Sequence, residues 1–315
     1  MKNVVVIGGG TGLSNMLKGM KEIKDIHLTA IVTVADDGGS TGRIRDAYDI
    51  PAMGDIRDVL CALADSEQAA FIQSLMNYRF EGNKDVGGHN LGNLIFLALT
   101  EMNHSFTGAI EKLSQVLHIQ GDVVPSTLDM ATLYALMEDG TLVRGEKNIP
   151  IVSNSISRVF YQESVHGYSK AIEAIEKADL IIYGIGSLYT SVIPNLIIEE
   201  IAQAIYENPC QRVFFCNVVS QPGETSHYSL EDHINALERH SFKNPVDIAI
   251  LSDSKIDEEI LAKYRKEGSH LVRQKEGEHV YKILRRDLAM VDEKNRIRHN
   301  PQAVKAVVEE IVEML

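Results

Sequence analysis

Two glycine-rich loops carry the residue types that handle phosphate. The apolar run Val4-Val5-Val6-Ile7 stops at Gly8-Gly9-Gly10-Thr11-Gly12, and a later apolar run stops at Asp36-Asp37-Gly38-Gly39-Ser40-Thr41-Gly42. Glycines at the end of a strand let backbone N–H groups close on an anion where the next helix begins, and the helix dipole favours negative charge there. An acid about twenty residues further along is where a dinucleotide fold holds its ribose. A dinucleotide fingerprint would need its third glycine at position 13, where Leu13 stands. The spacing therefore indicates a nucleotide or phosphate ligand, with a simple tight turn as the alternative.

Other polar residues extend this list. Asp36 and Asp37 are adjacent, so on an extended backbone their side chains diverge and only a turn could aim both at one ion. Either one holds a ribose or base while the other braces the loop, or the pair contacts Mg²⁺ through Asp37; Mg²⁺ is the one cofactor the acids admit, and none is required. Gly88-His89-Asn90-Leu91-Gly92-Asn93 opens a helix, with Asn90 and Asn93 near its free N–H groups. For His89 a cap or loop hydrogen bond is favoured over a catalytic base. Gly186-Ser187-Leu188 lacks the closing glycine of a nucleophile elbow, so Ser187 is read as an anion-binding hydroxyl. Asn217 follows a strand, and Arg298 could place a guanidinium on a phosphate or lie in an ordinary exposed loop. His227, His233 and His240 share no metal-ligand spacing and are read as surface residues.

The elements that must position these groups follow from periodicity. Leu13, Met16, Leu17 and Met20 recur at helical spacing, and residues 28–34 form the next strand. Asp55 is expected to cap the helix carrying Val59, Leu60 and Leu63. Residues 69–80 should be a helix burying Phe71, Ile72, Leu75 and Met76, and residues 91–102 another. Residues 132–146 predict an antiparallel hairpin, with residues 132–166 as a hairpin or flap insertion and residues 147–166 either extending its sheet or lying as a mobile flap. After residue 171, strands at 180–183, 213–216 and 246–250 alternate with helices at 196–206, 230–239 and 256–265, and a last helix carries Val304, Val307, Val308, Ile311 and Leu315. The expectation is a single α/β domain over 1–315, a Rossmann-like three-layer sandwich with a mostly parallel sheet and a small antiparallel hairpin insertion. Loops at 8–12, 36–42, 185–190 and 217–225 then gather beyond the carboxyl ends of the strands, where open parallel sheets bind ligands.

Composition sets outer limits. A net charge of −13 argues against general binding to nucleic acid or an anionic membrane, although a local basic pocket for a small anion remains open. No uncharged apolar run approaches the ~20 residues needed to span a bilayer. Cys61, Cys210 and Cys216 are expected to be reduced thiols. The opening Met1-Lys2-Asn3-Val4 is strand-like rather than a signal peptide, so the expected location is the cytoplasm.

Six ordered motifs resemble one family: residues 6–13, residues 33–42, Gly54-Asp55-Ile56-Arg57, residues 88–94, Gly186-Ser187-Leu188-Tyr189-Thr190-Ser191 and Gln221-Pro222-Gly223-Glu224-Thr225. The chain is similar, over roughly its whole length, to the gluconeogenesis factor family, which belongs with the 2-phospho-L-lactate transferases of coenzyme F420 biosynthesis. The resemblance implies a cytoplasmic regulatory protein that binds a UDP-type nucleotide sugar and supports cell shape and growth on gluconeogenic carbon sources. It also implies a regulatory protein partner; assembly into a homo-oligomer is expected. The transferase branch shares Ala35-Asp36-Asp37 but not the last two loops, which sets this chain with the regulators. An Mg²⁺-dependent transferase is the alternative, and a nicotinamide-dependent oxidoreductase ranks below both because Leu13 breaks the fingerprint.

Replacing Gly10 with Val should abolish ligand binding, because a branched side chain restricts the backbone and fills the space a phosphate needs. Normal UDP-sugar binding by Gly10→Val, measured by calorimetry, would show that the first loop is only a turn.

Overall fold

Side chains of the first strand alternate between two cores. Val4 and Val6 face one and Val5 and Ile7 the other, all at most 1% exposed. A strand covered on both faces must be apolar throughout, and the β-branched run meets that need. The computed structural model describes residues 1–64, 69–82, 85–152 and 154–315.

From the amino end, strand β1 (Lys2–Gly8) leads into helix α1 (Gly10–Met20), then β2 (Ile26–Val32), α2 (Gly39–Tyr48), α3 (Gly54–Leu63), α4 (Ala69–Asn77), α5 (Leu91–Asn103), α6 (Phe106–Leu117) and β3 (Asp122–Pro125). Strands β4 (Leu133–Met137), β5 (Leu142–Arg144) and β6 (Ile156–Tyr161) follow, with a 3₁₀ helix, Glu146–Ile151, before the last of them. The second half runs α7 (Ser169–Glu176), β7 (Leu180–Tyr183), a π turn at Leu188–Val192, α8 (Ile193–Leu196), α9 (Glu199–Glu207), β8 (Gln211–Phe215), α10 (Leu230–His240), β9 (Ile248–Ser252), α11 (Glu258–Lys266), β10 (Lys282–Arg286), β11 (Ala289–Val291), β12 (Ile297–His299) and α12 (Pro301–Glu313).

Seven strands form one parallel sheet in the order β3-β2-β1-β7-β8-β9-β10. The expected α/β class and mostly parallel sheet are therefore present. Side chains of α1, α3, α5, α6 and α12 build one core, and those of α7, α8, α9 and α10 with the antiparallel sheet build the other. That small sheet has the order β5-β4-β6, so part of residues 147–166 extends the hairpin. Among the described residues no helix is long and apolar enough to cross a membrane.

Several local expectations are corrected. Met53 occupies the cap position of α3, and Asp55 lies inside its first turn. The helix at 69–80 ends at Asn77, with Phe71 and Leu75 exposed. Helix 196–206 is divided, because Ile198 is extended and caps α9. His233 is fully buried, its Nδ1 2.7 Å from the Ser229 carbonyl, and His240 is half-buried, accepting the Val159 N–H at 3.0 Å. Periodicity misses these because a helical imidazole can meet its own preceding turn's carbonyl, a bond that makes burial tolerable. Leu315 lies beyond the buried stripe of α12 and is exposed.

His299 on β12 is buried with its Nε2 3.2 Å from the Cys216 carbonyl. Burial pushes its imidazole down to about 4 from 6.5. The unfolded ring thus takes a proton at higher pH than the folded one, so the stability tied to the neutral ring is present above pH 6.5 and lost as pH falls toward 4. Urea unfolding at about pH 7.5 and pH 4.5 should show the wild type losing roughly 2 to 3 kcal/mol more than His299→Gln. Equal losses in the two proteins would contradict the assignment.

Candidate functional site

The strand order reverses between β1 and β7, which lie side by side with Ile7 paired to Tyr183. Chains leaving the two strands diverge to opposite faces, and the gap between them is where open parallel sheets bind ligands. Gly184 N–H donates to the Ile7 carbonyl at 2.8 Å, so the two glycine loops start abreast. Gly9 is extended, and α1 then starts at Gly10 with φ +64°, in the left-handed region that glycine adopts without strain. At Gly12 a Cβ would drive into the Ile185 carbonyl and lie 2.7 Å from the Gly186 Cα. The two loops approach so closely that only hydrogen fits.

A crevice of about 420 Å³ opens over these loops, and Gly9, Gly10, Thr11, Gly12, Gly186, Ser187, Asn217 and Arg298 all line it. Asn217 follows β8 and donates through Nδ2 to the Gly186 carbonyl at 2.8 Å. Arg298 arrives from the far end of the chain. On β12 its neighbours Ile297 and His299 are buried and Arg298 is exposed, as strand alternation requires. Asn15 on α1 donates to the His299 carbonyl at 2.5 Å, fixing that hairpin against the first helix.

Beyond Gly10 lies an acidic cavity of about 320 Å³ lined by Asp36, Asp55, Glu146 and Glu224, sharing Gly10, Ser187, Ser191 and Gln221 with the crevice. Burial, reinforced by the carboxylates of Asp36, Asp58 and Glu146, raises Asp55 well above the usual range, while the Gly10 N–H pulls it back. Burial next to Asp36 lifts Glu146 to about 7, and burial lifts Glu224 to about 6 against the Ser187, Tyr189 and Thr190 donors. Asp36 is raised by burial despite accepting the Gly38 N–H at 2.8 Å. Protonated carboxyl groups at this spacing donate hydrogen bonds, and ionised ones supply hard oxygen ligands. Asp36 and Asp55 both line this cavity, and among the described residues no group of three or more acids, histidines or cysteines is arranged to hold a metal.

The other anticipated residues sit elsewhere. Asp37 turns away from this cavity: its Oδ1 accepts the Lys147 N–H at 3.2 Å, and its carbonyl accepts Lys147 Nζ at 3.1 Å. Gly38 caps α2, with its N–H committed to Asp36. Ser40, Asn90 and Asn93 are buried and joined to one another: Asn90 N–H donates to Ser40 Oγ at 3.1 Å, Asn93 Nδ2 to the same oxygen at 3.3 Å, and Arg57 Nη1 donates to Asn93 Oδ1. This network ties α2, α3 and α5 together and lines neither cavity. His89 bonds Ser40 Oγ at 3.1 Å, the loop role favoured for it. Leu188 is buried in the core. Ser187 Oγ donates to Glu224, accepts from Thr190 Oγ1 at 2.7 Å and caps the π turn, and among the described residues it meets no imidazole or amine.

Asp55, Glu146, Ser191 and Glu224 are not singled out from the sequence as site residues, Asp55 being read as a helix cap. Asp55, Ser191 and Glu224 do stand in recognisable motifs, whereas nothing local distinguishes Glu146, which reaches the cavity from the 3₁₀ helix.

The model of the 2-phospho-L-lactate transferase CofD family matches residues 4–289. The gluconeogenesis factor of Bacillus subtilis is 44% identical over 85% of this chain and 84% of its own length, and that of Halalkalibacterium halodurans 41% identical over 98% and 95%. A crystal structure of a Bacillus halodurans protein superimposes with a TM-score of 0.91 at 39% identity, covering 99% of both chains. A second crystal structure of that protein, described as a member of the UPF0052 family, also superimposes at 0.91. The chain belongs to the CofD family, among its gluconeogenesis factors.

Proposed function

We propose that the crevice binds a UDP-type nucleotide sugar and that the protein acts through this binding as a regulator, with no cofactor required. The observation that carries the reading is Arg298, brought from the far end of the chain to line the same crevice as the N-terminus of α1. A diphosphate laid there would find both backbone N–H groups and a guanidinium. Sugar hydroxyls then reach the acidic cavity, whose carboxyl groups both accept and donate hydrogen bonds. The relatives' description as gluconeogenesis factors supports a role in growth on gluconeogenic carbon sources. Support of cell shape, a regulatory protein partner, homo-oligomeric assembly and action in the cytoplasm complete the proposal.

The second reading is an Mg²⁺-dependent transferase, favoured by Asp36 and Asp55 beside Gly10. Mg²⁺ commonly binds through one or two carboxylates plus phosphate oxygens, and these two side chains would hold it. Such an ion would neutralise charge on a phosphoryl-containing group in transfer.

Calorimetry with UDP-N-acetylglucosamine should give a binding heat, and Arg298→Ala should weaken binding about tenfold or more, or ~1.4 kcal/mol. Absence of both heat and thermal stabilisation at millimolar ligand would contradict the proposal. Incubation with Mg²⁺, nucleotide-activated donors and acceptors should yield no product by mass spectrometry; a product would favour the transferase.

A further inference from the structure

Behind the crevice lies a second cavity of about 370 Å³. The wall between them is a short antiparallel contact: Ser220 N–H donates to the His270 carbonyl at 2.7 Å, and Val272 N–H to the Val218 carbonyl at 3.0 Å. Val219, Tyr264 and Ser269 line both sides. The nitrogen-bearing side chains on the far side are His227, Arg265, His270 and Arg273.

Among the described residues, the side chains of three of these four make no hydrogen bond or ion pair. His270 Nδ1 is buried and meets no hydrogen-bond partner among the described residues. The His227 ring lies tilted against that of His270, with centroids 4.9 Å apart, and its backbone has φ +60°, a conformation uncommon outside glycine and frequent at binding sites. Arg273 makes no ion pair among the described residues, while its carbonyl anchors α10 by accepting the Leu230 N–H at 3.0 Å. The acid on this wall, Glu258, is paired with Arg265. A chain of net charge −13 thus concentrates unpaired donors in one concave spot. Tyr228 and Tyr264 complete the lining with hydroxyls already engaged, by Tyr189 at 2.8 Å and by the Ile297 N–H at 2.7 Å, which leaves their rings as apolar walls.

We propose that this cavity is a second ligand site that takes a phosphomonoester, its phosphate on Arg273 and His270 and its organic part against Tyr228 and Tyr264. A guanidinium and imidazole nitrogens match the several acceptor oxygens of a phosphate, and aromatic walls suit a non-ionic remainder.

Calorimetry on the full chain with phenyl phosphate, and with inorganic phosphate for the bare anion, tests the assignment. Phenyl phosphate should bind more tightly than inorganic phosphate. Arg273→Ala and His270→Ala should each weaken phenyl phosphate about tenfold, while Arg298→Ala and saturating UDP-N-acetylglucosamine leave it within about twofold. Arg273 is exposed, so its truncation spares the fold. No heat up to ~10 mM, or binding lost in Arg298→Ala and kept in Arg273→Ala, would overturn the proposal, the second outcome placing the phosphate in the crevice.

Discussion

Everything at the candidate site depends on how closely two backbones pass at the reversal of strand order. Gly12 packs its bare Cα against the Ile185 carbonyl and Gly186, and no side chain fits between them. That approach lets the loops after β1 and β7 share one rim. The helix beyond this contact begins at Gly10, whose N–H meets Asp55, while Thr11 and Gly12 line the gap. Leu13, which breaks a dinucleotide pattern, is wholly buried in the core under α1 and fits this arrangement.

From that rim the site divides by charge. Helix N-terminus, Asn217 and Arg298 lie at one end; Asp36, Asp55, Glu146 and Glu224 lie at the other. Phosphate is favoured at the first end and repelled from the second, so a ligand with an anionic middle and a hydroxyl-rich tail has one favourable orientation. The acids are held together at the cost of raised proton affinity, with Glu146 at about 7 and Glu224 at about 6. Proton uptake or a bound cation relieves their mutual repulsion. The flap carrying Glu146 is tied down through Lys147 to Asp37, which gives that aspartate a bracing role close to the one its adjacency to Asp36 suggested.

Much of the scaffold was legible because burial on both faces writes itself as continuous β-branched runs, as in Val4 to Ile7, and helices as spaced apolar sets. The glycine loops were legible for the same reason: glycine there answers a local backbone demand. Residues whose meaning depends on a distant partner were not. Asp55 looks like a cap until Gly10 is placed beside it, and His233 looks exposed until its bond to the Ser229 carbonyl is seen. Asn90 and Asn93 resemble ligand contacts because they open a helix, yet their partners Ser40 and Arg57 lie in other elements. Glu146 carries no local mark at all.

The central claim, that this crevice holds a UDP-sugar with its diphosphate over the first helix, is tested most directly by a crystal structure of the protein with UDP-N-acetylglucosamine. Phosphate density is expected against the backbone amides of Thr11 and Gly12 with Arg298 also in contact, and sugar density toward Asp55 and Glu224. Density at another place on the molecule, or an empty crevice at saturating ligand, would contradict it.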